Sequence, residues 1–262
     1  MLQFSSAQLD ALIVAWFYPL VRVLAMLGSA PIFNSRAMPR NIRLAAGLAI
    51  GVAVAASLPP APAISPGSLQ GVLVMAQQVM IGVAIGLAMR VVMAAVDTAG
   101  EMIGLQMGLS FAVFFDPNKS GQTAVLSEIL TLLSSLCFLA LNGHLMLIEV
   151  LVRSFEFVPI GATNLHDDAW LVLVRMLSVA FASGVMIALP VVTALLLTNI
   201  ALAVLTRSAP QLNIFAVGFP VTSTVGFIVL ILSLQNFSPV LESLYERGFE
   251  YVGLFLRQLG NP

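Results

Sequence analysis

The chain is poor in charge. Only 9% of its 262 residues are charged against 60% hydrophobic, and its mean hydropathy of +1.03 lies far outside the range of water-soluble domains. It has one lysine, its 11 basic residues form no long run, and the formal net charge is -1, so no nucleic-acid footprint is present. The single cysteine, Cys137, lies in an apolar run, which excludes an internal disulfide and a cysteine metal cluster. Of the two histidines, His144 reads as a hydrogen-bonded structural histidine near a bend ahead of the alternative, a proton relay or ligand. His166 beside Asp167 and Asp168 is poor ligand spacing and reads as a solvated loop, so no metal and no cofactor is expected. Catalytic signatures are missing too: there is no HExxH, no GxSxG and no glycine-rich dinucleotide turn. Asn118 to Thr123, NKSGQT, lacks a P-loop's earlier glycines, since Val113 and Asn118 stand in their places. An enzyme is therefore not expected. MLQFSSAQLD carries no basic residue ahead of the first apolar stretch, so no cleaved signal peptide is expected either.

What the chain does have is long apolar runs, and a membrane span needs about 20 such residues. Residues 11–33 form the first, interrupted by Pro19, Arg22 and Pro31. An arginine in mid-span is costly unless it faces protein or water, so this helix is expected to pack inside an assembly. Arg36, Arg40 and Arg43 gather around Pro39 and favour the cytoplasmic side for that loop, placing the N-terminus outside. Residues 44–58 and 69–96 read as helices joined by a turn at 59–67, with Gly47/Gly51 and Gly82/Gly86 as small-residue pairs for close packing. Gln77 and Gln78 read as inter-helix hydrogen bonds.

Residues 124–152 are predicted as one helix on which Glu128, Ser135, Asn142 and Glu149 recur every seven positions, a slowly drifting polar stripe facing a partner or a wet path. A polar connection at 153–169 leads to a span at 170–205 with a kink at Gly184 and Pro190. A further span at 214–234 is read as broken by Gly218 and Pro220. The tail, 239–262, alternates charged and apolar residues as an amphipathic helix lying on a membrane surface or a partner.

The centre of the chain, residues 97–122, obeys different rules. Gly100, Gly104 and Gly108 recur every four residues, and in a helix they form one smooth stripe for close backbone approach. Phe111, Phe114 and Phe115 add bulk beyond Met102 and Met107, and Asp116-Pro117-Asn118 ends any helix. A bulky apolar loop between membrane segments is suited to blocking a hole; a short re-entrant or surface loop fits the same residues. Asp97 and Glu101 share a helix face one turn apart, as the carboxylates of a proton-coupled carrier do, or as a pair that caps the wet end of a helix does.

Several blocks taken together resemble the FliR/SctT family of type III export gates. They are Arg22 with Ala30-Pro31-Ile32-Phe33, Pro39 and Arg43-Leu44-Ala45; LQMGLSFA from Leu105 to Ala112 with Asp116-Pro117; and LNGHLMLIEVLVRSFEFVPIG from Leu141 to Gly161. The most specific block runs from Ala188 to Pro220, with Pro190, Asn199, Arg207, Pro210-Gln211, Asn213, Phe215, Gly218 and Pro220 in the family's order. The resemblance covers essentially the whole chain. It departs at Ala203, where glycine is expected, and at Phe114-Phe115, which are bulkier than expected in that loop.

The resemblance implies an all-α, multi-span membrane protein of helical hairpins with broken helices, built into a helical export gate. Residues 1–169 would be a FliP-like part containing a plug loop at about 106–122, and 170–262 a FliQ-like hairpin with an amphipathic tail. Several FliP and FliQ copies would be its partners, with FlhB wrapping the entrance and FlhA nearby. Unfolded flagellar subunits would be the cargo, and the bacterial inner membrane at the flagellar basal body the location. Gln106, Met107, Gly108, Phe111, Phe114 and Phe115 would form the pore plug, hinged at Gly104, Asp116 and Pro117. Glu128, Asn142, Glu149, Arg207 and Gln211 would face other subunits or the pore wall. The alternatives from other classes are a small-solute secondary transporter with broken helices and a structural scaffold without a gate.

Overall fold

Apolar runs of this length leave the backbone to satisfy its own hydrogen bonds, which in a bilayer a helix does within one segment. A computed structural model describes residues 6–35, 38–59, 64–109, 125–162, 166, 168–209, 211 and 214–260, and among them every regular element is helical. In chain order these are α1 (Ser6–Ser29), α2 (Arg40–Ser57), α3 (Leu69–Gln106), α4 (Val125–Ala140), α5 (Gly143–Phe157), α6 (Ala169–Ser208), α7 (Ile214–Leu234) and α8 (Phe237–Gly260). Arg40–Ser57, Leu69–Gln106, Ala169–Ser208 and Val217–Leu234 are long and apolar enough to cross a membrane, and α4 with α5 adds a fifth if that bent pair is one span. The protein is thus a multi-span membrane protein.

The chain separates into two compact units. The first is formed by Met1–Val91, Asn142–Leu177 and Glu246–Pro262, the second by Val92–Leu141 and Ser178–Tyr245.

In the first unit small residues set the packing distance, as their spacing predicts. A side chain at Gly47 would meet Leu24 Cδ2 at 2.5 Å and one at Gly51 would meet Leu20 Cδ1 at 2.5 Å, so with glycine there α2 packs on α1 without displacing those leucine ends. Gly82 and Gly86 do the same for α3, where an added carbon would collide with the α1 backbone at Arg22 and Met26. Ser68 caps α3 by accepting the Gly71 N–H at 3.0 Å. Tyr18 is buried with Val14 and Val74, and its hydroxyl donates to the Ile64 carbonyl at 3.1 Å.

Arg22 lies at the centre of this unit with no exposed surface. Its Nε donates to Gln78 Oε1 at 2.8 Å, one terminal nitrogen to Ser154 Oγ at 2.9 Å, and the other to the Val158 carbonyl at 2.9 Å. Its guanidinium carbon sits 3.9 Å from the centre of the Phe155 ring. Of the two surroundings that suit it, protein or water, Arg22 has protein: its partners come from α3, from α5 and from Val158 just past the end of α5. Gln77 also bonds between segments, donating to the Ala162 carbonyl at 3.0 Å.

Three element boundaries differ from the sequence expectation. The run predicted to end at residue 96 continues as helix to Gln106, because its polar residues are satisfied in place. Thr98 Oγ1 donates back to Ala94 O at 2.8 Å, and Asp97 accepts a hydrogen bond from Thr131 of α4. The single helix expected over 124–152 is two, bent by 66° at Leu141 and Asn142. Asn142 adopts a left-handed backbone at φ 57°, a conformation asparagine tolerates better than most residues and one that stops the α4 ladder. The seven-residue polar stripe is therefore interrupted, with Glu128 in the second unit and Asn142 and Glu149 in the first. His144 does sit beside this bend, but its Nδ1 is buried without a partner among the described residues.

The span at 214–234 is not broken at Gly218 and Pro220; α7 passes through both. The tail is amphipathic as predicted, but its apolar face packs on the chain itself rather than on a membrane or partner. Leu241, Leu244, Tyr245, Phe249, Val252, Phe255, Leu256 and Leu259 are all buried, at the three-and-four spacing of one helix stripe. In the second unit Tyr245 donates to the Ser134 carbonyl at 2.8 Å and meets the Phe138 ring edge-on at 5.2 Å. Burial, the larger cause, together with Cys137 pushes its hydroxyl up to about 12 against the opposing Ser134 bond, so it stays a neutral donor. In the first unit Phe255 meets Trp170 edge-on at 5.3 Å.

Candidate functional site at the end of α3

Residues 110–124 of the central loop lie outside the described residues; the described part of this stretch is the last turns of α3 in the second unit and its end at Leu109. Gly100 packs against the Ser127 backbone of α4, close enough that an added carbon there would overlap the Ser127 Cα. Ser127 Oγ donates to the Asp97 carbonyl at 3.1 Å, in addition to the Thr131 bond to the Asp97 carboxylate. The two carboxylates therefore part company: Asp97 turns to α4, and Glu101, one turn on, is exposed.

α3 ends in a defined cap. The Met107 N–H donates to Ile103 O at 2.9 Å, the Gly108 N–H to Leu105 O at 3.0 Å and the Leu109 N–H to Gly104 O at 3.0 Å. This pair of reversed bonds is the Schellman arrangement, which needs a left-handed residue just past the helix, and Gly108 supplies it at φ 79°. Of three glycines spaced by four, Gly100 contacts α4 and Gly104 lies buried inside α3, while Gly108 ends the helix.

Met107 has no exposed surface. It sits on Gly226 of α7, where an added carbon would lie 2.7 Å from Met107 Cγ and 2.9 Å from its Cε and Sδ. One turn before, Thr222 Oγ1 donates to the Met107 carbonyl at 3.4 Å and to Gly218 O of its own helix at 3.0 Å. Gly226 is not among the residues that the sequence expectation for this span rests on, Gly218 and Pro220. The signal was present: Gly218, Thr222 and Gly226 are small residues at the four-residue spacing also seen in α3.

Of the residues assigned to the plug and its hinges, Gln106 is the last residue of α3 and half-buried, Met107 is buried and Gly108 half-buried. Phe111, Phe114, Phe115, Asp116 and Pro117 lie outside the described residues. Glu128, Asn142, Glu149, Arg207 and Gln211 are all exposed. Glu149 pairs with Arg153 one turn along α5 at 2.7 Å, both side chains more than half exposed, a pair worth little in stability.

The family model for bacterial export proteins, family 1, matches residues 13–248. Among curated relatives, the flagellar biosynthetic protein FliR of Pectobacterium carotovorum subsp. carotovorum is 42% identical over 263 residues, 100% of both chains. That of Escherichia coli (strain K12) is 42% identical over 259 residues, 99% of each. That of Buchnera aphidicola subsp. Schizaphis graminum (strain Sg) is 34% identical over 252 residues, covering 96% of this chain and 97% of the relative.

Proposed function

Because the chain belongs to the bacterial export proteins, family 1, and matches FliR proteins from end to end, we propose that it helps form the flagellar type III export gate. In this reading it joins FliP and FliQ in the channel through which unfolded flagellar subunits leave the cytoplasm, with FlhB at the entrance and FlhA nearby. Its place is the bacterial inner membrane, at the flagellar basal body. Residues 1–169 act as the FliP-like part and 170–262 as the FliQ-like hairpin with its amphipathic helix. The loop at about 106–122 closes the path: Gln106, Met107, Gly108, Phe111, Phe114 and Phe115 form an apolar constriction, with Gly104, Asp116 and Pro117 as its hinges. Exposed Glu128, Asn142, Glu149, Arg207 and Gln211 are then available to neighbouring subunits or the pore wall. No catalytic step is part of this function.

The observation that carries the reading is full-length identity of 42% to proteins named for flagellar biosynthesis. Outward apolar rows on the long helices support it. Leu189, Leu196, Leu197, Ile200 and Val204 of α6 are all exposed, a surface that lipid or neighbouring helices must cover.

Native mass spectrometry of the tagged protein, co-expressed with its genomic neighbours and purified in mild detergent, tests this function. It should leave the membrane in one large complex, as a minority copy beside two other small hydrophobic proteins. A chain that runs alone or as a homodimer would overturn the gate and give solute-transport assays priority.

A further inference from the structure

We propose that the first unit binds the headgroup of a zwitterionic phospholipid, phosphatidylethanolamine, in a cavity between α5 and α8. The cavity encloses about 290 Å³. That is at the lower end of ligand-site volumes, roughly 300 Å³, and suits a headgroup rather than a whole lipid. Both walls belong to one unit. α5 is the second half of the bent apolar pair that counts as a fifth crossing if it is one span. α8 meets it where the two helices end, since a side chain at Gly260 would overlap the Phe157 carbonyl. Arg153 and Arg257 both stand close to those ends, and arginines near the end of a membrane helix reach to the headgroup level.

The charges on the cavity wall select the ligand. Three charged side chains line it, Arg153, Glu250 and Arg257. Arg153 already pairs with Glu149 at 2.7 Å. Arg257 lies 5.8 Å from the centre of the Phe157 ring, and among the described residues neither it nor Glu250 has a hydrogen bond or an ion pair. One free guanidinium and one free carboxylate on the same wall match a molecule that carries both charges. A bare phosphate or an anionic lipid would bring a like charge to Glu250, and the negative ends of two helix dipoles would oppose it as well. In phosphoethanolamine the phosphate accepts from Arg257 and the ammonium donates to Glu250.

Gly253 is a second, independent sign of an outside occupant. It lines the cavity within α8, where alanine is the better helix former and a glycine calls for a packing reason. No such reason comes from the chain, because a side chain there would meet nothing within 4 Å. Exposed Leu254 and half-buried Val150 border the same space and give acyl chains an apolar exit.

Native mass spectrometry of the full chain in mild detergent tests the site. Palmitoyl-oleoyl phosphatidylethanolamine, phosphatidylglycerol and phosphatidylcholine are titrated separately, and the thermal midpoint of each variant shows that it is folded. The ethanolamine lipid should bind at least about tenfold tighter than the others, because glycerol offers Glu250 no cation and choline's quaternary nitrogen no N–H. Arg257→Gln should weaken its binding about tenfold, and Glu250→Gln should bring the ethanolamine and glycerol lipids within about twofold of each other. Gly253→Leu fills the cavity without a clash in the chain, so it should abolish binding with the midpoint unchanged or raised. If Arg257→Gln does not fold, Gly253→Leu decides. Equal binding of the three lipids would overturn the site, as would variants that bind like the native chain. Displacement of the lipid by soluble O-phosphoethanolamine at equal concentration would overturn it in favour of a free metabolite. A co-purified complex that binds no ethanolamine lipid would overturn it in favour of a subunit contact.

Discussion

An arginine with no exposed surface, held by a glutamine, a serine and a backbone carbonyl, is costly to bury and costly to disturb. The planar fork of Arg22 reaches all three acceptors at once, and its face lies against Phe155. An ammonium on a flexible stem cannot span them. Arg22→Ala should lower the unfolding stability of the detergent-solubilised protein by roughly 3 kcal/mol or more, since each stranded acceptor costs about 1–3 kcal/mol. Arg22→Lys should recover only part of that loss. Thermal unfolding followed by tryptophan fluorescence checks the order, and a lysine variant as stable as the native protein would contradict the three-way role. Gly108 shows the opposite economy: its value is the absence of a side chain, which lets the backbone turn left-handed and end α3.

At the level of elements, α3 at 38 residues and α6 at 40 are each about 57–60 Å long, roughly twice the hydrocarbon thickness of a bilayer. Both are therefore longer than a single crossing needs. The pair α4 and α5 shows how one residue changes an element. With Asn142 helical, the apolar run would form one continuous rod; in the left-handed region it bends the pair by 66°. Asn142→Ala should cost about 1 kcal/mol because alanine resists that conformation, and Asn142→Gly should cost little or nothing. Chemical denaturation of the two variants gives the order, and an alanine variant more stable than the glycine one would mean the bend is held elsewhere.

For the molecule as a whole, the two units differ in how they use their apolar surface. α1 of the first unit buries its stripe on α2 and α3 through glycine contacts, whereas α6 in the second leaves Phe181, Met186, Leu197 and Ile200 outward. A charge placed on that outward row has no internal partner. Leu197→Arg should reduce the amount of protein recovered in the membrane or in the complex, by an energy on the order of 2–3 kcal/mol near the centre of a span. Glu242→Arg, on the exposed face of α8, should leave recovery unchanged. Quantitative blotting of membrane fractions separates the two, and equal recovery would show that Leu197 does not face lipid or a packed neighbour.

The sequence by itself determined the class, because hydropathy is a sum over neighbours in the chain and needs no tertiary partner. It also located the close approaches at Gly47, Gly51, Gly82 and Gly86, since a four-residue spacing fixes which residues share a helix face. That Arg22 must face protein or water followed from the cost of charge in an apolar run; only the fold shows that it is protein. The end of α3 was different. Asp97 looked like a polar boundary, and only Thr131 and Ser127 on a distant segment let the helix run past it. The bend at Asn142 was hidden because the seven-residue spacing of Glu128, Ser135, Asn142 and Glu149 fits an unbroken helix better than a broken one. In α8 the periodicity gave the apolar face but not what covers it. That Met107 lies against Gly226 is likewise a fact of tertiary structure. Spacing along the chain fixes which face a residue occupies, and only tertiary structure decides what that face meets.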